Sequence, residues 1–220
     1  MIAKELITND VPPIRSTETV EKALSWLDEF KVSHLPVVDG TEYLGLVSED
    51  VLYDANSSEM KLKDLNISFN RPFVYEDRHI YEVMQLVSDM QLSIAPILDK
   101  NDHYIGLTTL PHLMHLISNT ASISEPGSVI VIELNQNDYS LGHLAQIIES
   151  NDTKILSSYI TSAKDSTVME LTIKVNRKNI QGVLQALVRY DYTVKASYSE
   201  INYEEDMKDR FDSLMKYLDM

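Results

Sequence analysis

The chain has 220 residues, of which 44% are hydrophobic and 24% charged, and it contains no cysteine. The lack of cysteine excludes disulfides, thiolate nucleophiles and Cys-based metal sites. A net charge of −15, from 19 Lys and Arg against 34 Asp and Glu, repels nucleic-acid backbones and anionic membrane surfaces, so no nucleic acid and no membrane is expected as a partner. No stretch approaches the roughly 20 apolar residues that a bilayer-crossing helix requires. Residues 1–8 lack a signal-peptide pattern, and a cytoplasmic protein is the expectation.

Taken in chain order, the first elements form a repeat. Val20, Ala23, Leu24 and Leu27 fall on one face at helical spacing behind the cap candidates Ser16-Thr17-Glu18-Thr19. Leu35-Pro36-Val37-Val38 reads as a buried strand, Asp39-Gly40 as a hairpin turn and Tyr43-Leu44-Gly45-Leu46-Val47 as the returning strand. A short helix starts at Ser48-Glu49-Asp50, with Ser48 as its cap and two acids suited to its positive end. Sixty residues on, the pattern recurs: Ser33, Pro36 and Asp39 become Ser93, Pro96 and Asp99, and Tyr43-Leu44-Gly45-Leu46-Val47-Ser48 becomes Tyr104-Ile105-Gly106-Leu107-Thr108-Thr109. Even the lead-in segments echo, Ala3-Lys4-Glu5-Leu6 against Leu62-Lys63-Asp64-Leu65. Two units, each with one apolar face, are expected to bury those faces against one another.

Residues 118–128 are small, polar and broken by Pro126-Gly127, and read as a linker. Beyond them come a strand over 129–134, a helix holding Leu141, Leu144, Ile147 and Ile148, strands over 155–161 and 168–175, a helix holding Ile180, Val183, Leu184 and Leu187, and a strand near 193–198. This βαββαβ order, with a pseudo-repeat at a spacing of forty, implies a ferredoxin-like α+β sandwich. Met207, Phe211, Leu214, Met215 and Leu218 mark a final amphipathic helix on an acidic tail.

The duplicated strand–turn–strand with its Gly-hydrophobic-hydrophobic-Ser/Thr turn resembles a tandem pair of CBS domains. The Asp138…Gly142-x-Leu144…Ile147 pattern resembles an ACT domain, although the usual proline is missing and the Asp-to-Gly spacing is one residue longer. Together they resemble the bacterial acetoin-utilisation protein B family. The fold expected is α+β: CBS unit 1 over 1–58, CBS unit 2 over 59–117, the linker over 118–128, an ACT-like domain over 129–200 and a C-terminal helix over 201–220.

The resemblance implies a small-molecule ligand, an adenosine-containing compound in the CBS cleft. It places Ser48 and Thr109 at the hydroxyl of the turn, Pro36 and Pro96 beside adenine, and His34, Arg71 and Arg78 as cations for a phosphate. In the family an Asp three residues after the hydroxyl holds the ribose; here those positions are Val51 and His112, with Asp50 one place early. Helix capping alone also accounts for Ser48 and Thr109. In the ACT-like part the resemblance implies a ligand, usually an amino acid, at the loop holding Asn137, Asp138, Ser140 and Gly142; exposed backbone near Gly142 suits a carboxylate. It further implies a homodimer and an unidentified partner protein.

No phosphate-cradling glycine loop, nucleophile elbow or His-Glu-x-x-His is present. His112 and His115 share a helix without a nearby carboxylate, so neither a metal nor a required cofactor is expected. A non-catalytic sensor is the first expectation, and a scaffold whose sites have decayed is the alternative.

Overall fold

The computed structural model describes residues 1–65, 70–120, 122–162 and 166–199. The amphipathic helix expected over 201–220 lies outside the described residues. The chain forms two compact units, Met1–Ile117 and Ser118–Met220.

In the first unit the repeat becomes α1 (Val20–Phe30), β1 (His34–Asp39), β2 (Glu42–Ser48) and α2 (Glu49–Tyr53), followed by β3 (Val74–Tyr75), α3 (Ile80–Asp89), β4 (Ile94–Leu98), β5 (Tyr104–Thr109) and α4 (Leu110–Thr120). Thr19 caps α1 by accepting the Lys22 N–H, and His79 does the same for α3 with the Tyr81 N–H. Lys31 and Gln91, again sixty apart, leave the two helices in the left-handed conformation. Helix α4 extends to Thr120, so the first three residues of the expected linker are helical. The polar composition of Ser118-Asn119-Thr120 hides this, because a helix end tolerates residues that its interior disfavours.

The two hairpins β1–β2 and β4–β5 are antiparallel, with equivalent irregularities at Val37/Val38 and Ile97/Leu98. Pro96 sits in the central strand of the sheet β3–β4–β5. A proline there is tolerated because β3 reaches only Ile97 and Leu98, leaving the Pro96 nitrogen without a ladder partner to satisfy.

Each lead-in segment docks on the other repeat. Ala3 and Lys4 donate their N–H groups to the carbonyls of Arg78 and Glu76, at 2.7 and 3.0 Å. Leu62 and Lys63 donate to Glu18 and Ser16, both at 2.9 Å. Leu62 is buried with Val20, Leu27 and Leu35 of the first repeat, while Ala3 and Leu6 are buried with Val83, Val87 and Leu113 of the second. Burying a leucine side chain stabilises by about 2 kcal/mol, so this exchange ties the repeats together beyond the hairpin contact.

The second unit is β6 (Ser128–Asn135), α5 (Leu141–Glu149), β7 (Ile155–Ser162), β8 (Val168–Val175), α6 (Gln181–Arg189) and β9 (Thr193–Ser199). Its antiparallel sheet has the order β7-β8-β6-β9, the ferredoxin-like arrangement. Ile130, Ile132, Leu134, Leu171 and Ile173 face Leu144, Ile147, Ile148, Val183 and Leu187 of the two helices in one core, as the alternating burial of β6 and β8 requires.

Candidate functional site

The two hairpins touch at both ends. At one end Tyr43 and Tyr104 stack with ring centroids 6.2 Å apart, Tyr104 N–H donates to the Thr41 carbonyl at 2.8 Å, and the Tyr43 hydroxyl donates to the Pro72 carbonyl at 2.9 Å. Burial pushes both tyrosine hydroxyls far above their ordinary value. Arg71 lies over the Tyr43 ring at 5.9 Å.

At the other end the contact is polar. The Ser33 N–H donates to Ser93 Oγ at 3.0 Å, and the Ser93 N–H donates to His34 Nδ1 at 3.3 Å. Ser93 Oγ is 3.2 Å from the same nitrogen. His34 lies opposite Ser48 in the β1–β2 ladder, and Ser48 caps α2 by accepting the Val51 N–H. Burial holds the His34 imidazole below its ordinary pKa, opposed by the negative charge of Asp50. A neutral ring is what its environment requires, since a protonated Nδ1 could not accept the Ser93 N–H. His34 and Ser93 therefore make the polar contact between the repeats, with Ser48 opposite His34 in the ladder and the charge of Asp50 near enough to act on the ring.

The equivalent junction of the second repeat is different. Ile94, fully buried, takes the place of His34, and it lies opposite Thr109. Thr109 is itself buried and accepts the His112 N–H at 3.3 Å, capping α4. Pro36 and Pro96 are both buried within their strands; the Pro36 carbonyl accepts the Ile14 N–H at 2.9 Å.

Arg78 does not join either junction. It follows β3, whose Tyr75 pairs with Leu98 at the far end of β4 from Ile94, about 13 Å along the strand. There it lies 3.8 Å from both Asp77 and Glu82 and lines a groove of about 560 Å³ with Lys4, Tyr75, Glu76 and Lys100. Arg71, at the tyrosine pair, is likewise removed from His34. Of the three cations expected for a phosphate, only His34 stands beside Ser48.

In the second unit Asn137 and Asp138 lie in a 3-10 turn over Gln136–Asp138, Ser140 caps α5 by accepting the His143 N–H, and Gly142 lies in the first turn of that helix. Asp138 accepts a hydrogen bond from Asn135 Nδ2 at 3.3 Å. Sequence reading missed three neighbours: His143 Nδ1 is 2.9 Å from the Tyr192 hydroxyl, and its ring meets Tyr190 edge-on at 5.5 Å. Burial and the Asp138 charge raise the pKa of Tyr192. Ser93 was missed as a site residue too, although its identity with Ser33 in the repeat was the available signal.

Among the described residues no group of three or more His, Asp or Glu could hold a metal ion, and no helix is long and apolar enough to cross a membrane.

Two curated relatives match part of the chain. An inosine-5'-monophosphate dehydrogenase from Methanocaldococcus jannaschii is 26% identical over 113 residues, 51% of this chain and 23% of the relative. A homoserine O-acetyltransferase from Methanocorpusculum labreanum is 27% identical over 129 residues, 57% of this chain and 24% of the relative. The chain thus spans under a quarter of the length of either. Among solved structures, a CBS domain pair/ACT domain protein from Thermotoga maritima is 21% identical over 54% of this chain and 98% of that one, with a TM-score of 0.49. A candidate acetoin utilization protein (AcuB) from Vibrio cholerae is 18% identical over 56% of this chain and 95% of that one, also with a TM-score of 0.49. The CBS domain family model matches residues 3–56, and the same order of elements recurs about sixty residues later.

Proposed function

We propose that this chain is a non-catalytic regulatory protein that senses a small adenosine-containing metabolite at the junction of its two CBS repeats and passes the change to a partner. The observation that carries the reading is the hydrogen-bonded contact of His34 in one repeat with Ser93 of the other, beside Ser48 and within the field of Asp50. A ligand engaging this junction touches both repeats, so differential affinity for two arrangements of the hairpins supplies the energy of the signal. With a neutral His34 and the nearest arginines elsewhere, the junction favours a neutral or cationic adenosyl compound over a triphosphate. We take the protein to act as a homodimer, and the loop of Asn137, Asp138, Ser140 and Gly142 to be a second, amino-acid-binding candidate.

A thermal-shift panel of adenosine, AMP, ADP, ATP, S-adenosylmethionine, NAD and the amino acids tests the reading. A ligand at 100 times its dissociation constant adds about 2.7 kcal/mol to stability, which is a visible rise in Tm. The rise is expected with an adenosyl compound and is expected to vanish in Ser48→Ala after correction for that variant's own stability. Absence of any rise in folded, ligand-free protein favours a second reading, a structural scaffold. Val51 and His112 at the positions where a ribose-binding carboxylate is expected, and Ile94 in place of His34, support that alternative.

A further inference from the structure

The polar contact between the repeats is not symmetric, although the residues around it are. Ser33 and Ser93 hold the same position in the two repeats, and each carbonyl accepts the first N–H of the helix that follows its hairpin. Ser33 accepts from Glu49 and Ser93 from Leu110, both at 3.0 Å. The Ser33 N–H donates to Ser93 Oγ at 3.0 Å. Pseudo-two-fold symmetry would have the Ser93 N–H donate to Ser33 Oγ in return. It donates instead to His34 Nδ1 at 3.3 Å, and Ser33 is left exposed. His34 thus stands in for an acceptor that the repeat assigns to a serine hydroxyl. In the other half Ile94, fully buried, has no nitrogen to offer.

A second arrangement satisfies the same groups. A protonated Nδ1 no longer accepts, but it donates. Ser93 Oγ stands 3.2 Å from it and keeps a lone pair beside the one that takes the Ser33 N–H. The Ser93 N–H then needs a new acceptor, and Ser33 Oγ is the one that symmetry offers. We propose that the junction is a two-position latch: the Ser93 N–H passes from His34 Nδ1 to Ser33 Oγ whenever His34 gains a proton or gives its lone pair to a ligand donor. Burial favours the neutral ring and the charge of Asp50 favours the protonated one, so the two positions are in competition. The other titratable groups on the elements packed here are Glu49 at the start of α2, His112 in the first turn of α4, and Asp39 and Glu42 at the far ends of β1 and β2. The proposal deepens the sensing reading and rests on it for the ligand. An occupied junction is the symmetric one, which supplies the second arrangement that differential affinity requires.

NMR of the full-length, ligand-free protein tests the latch. The ring signals of His34 and the amide signal of Ser93 are followed from about pH 8 down to the acid limit of the folded state. His34→Gln assigns the ring among the six histidines. Ring and amide are expected to share one midpoint. Ser33→Ala removes the second acceptor at an exposed position and is expected to lower that midpoint by about 0.5–1 pH unit, about three- to ten-fold in the proton dissociation constant. Ser33→Thr, which keeps the hydroxyl, is expected to retain the wild-type midpoint. An unchanged midpoint in Ser33→Ala, or a Ser93 amide that does not follow the ring, overturns the latch and leaves the sensing reading standing. Absence of binding in the thermal-shift panel overturns the sensing reading, while the titration still decides the latch.

Discussion

The Ser93 N–H donates to His34 Nδ1 across 3.3 Å, and by doing so one repeat reads the protonation state of a side chain in the other. The relationship is one-sided. The residue that repeats His34 is Ile94, fully buried, so the second half of the pseudo-symmetric pair offers no equivalent acceptor. A duplicated sequence has produced one polar junction and one apolar junction.

The same asymmetry separates two identical serines. Ser93 Oγ accepts the Ser33 N–H at 3.0 Å, whereas the Ser33 side chain is exposed and does not bridge the repeats in this way. Ser93→Ala is expected to lower stability by about 1–2 kcal/mol through the orphaned Ser33 donor and lost histidine contact, and Ser33→Ala by under about 0.5 kcal/mol. Urea unfolding of the two variants checks the difference.

The pH dependence follows from His34. Its folded-state pKa is held down by burial, so the unfolded chain takes up a proton first as the pH falls. The contribution is fully present above the unfolded value of about 6.5 and is lost as the pH drops through the folded value. Stability is therefore expected to decline below about pH 6.5, and His34→Gln, which keeps an acceptor for the Ser93 N–H, is expected to flatten that decline. Asp28 and Asp99 also have lowered values, but as carboxylates they act in the acid range below about pH 4. Melting curves at closely spaced pH values separate the two ranges.

Thr108 is fully buried and its hydroxyl has no hydrogen-bond partner. The residue repeating it in the first half is Val47, buried in the core there. Thr108→Val removes an unsatisfied polar atom without changing shape and is expected to stabilise the protein by about 1–2 kcal/mol. A lowered urea midpoint would mean that the hydroxyl has a role in the folded state.

Two glycines permit a sharp contrast. Gly127 has φ +155, and a Cβ there would fall 1.9 Å from the Val175 carbonyl oxygen, whereas a Cβ at Gly142 meets nothing within 4 Å. Gly127→Ala is expected to cost at least about 3 kcal/mol, since the clash is with backbone. Gly142→Ala, in the first turn of α5, is expected to be neutral or stabilising by about 0.5 kcal/mol. Thermal unfolding of both variants checks this.

Much of the fold was legible because periodicity and the sixty-residue offset are local properties. The helix stripe of Val20, Ala23 and Leu27, the hairpin turn at Asp39-Gly40 and the cap at Ser48 all appear as the residues dictate. The exchange of lead-in segments was not legible. Ala3-Leu6 and Leu62-Asp64 announce their likeness, but which repeat each docks on is decided by tertiary packing. The candidate site was legible in part for the same reason. His34 and Ser48 are close in sequence and lie opposite one another in the β1–β2 ladder; Arg78 shares only its charge type with His34, and strand direction carries it to the far end of β4. Tyr190 and Tyr192 reach His143 only through the packing of β9 and α6 against α5, which no spacing in the sequence reveals.

Isothermal titration of the ligand-free protein with S-adenosylmethionine, adenosine and ATP tests the central claim, that one polar junction per chain is the sensing site. The account expects saturable binding at one site per chain, a preference for the neutral or cationic compound over ATP, and loss of binding in Ser48→Ala. Two sites per chain, selective tight binding of ATP, or no heat with any of the three would contradict it.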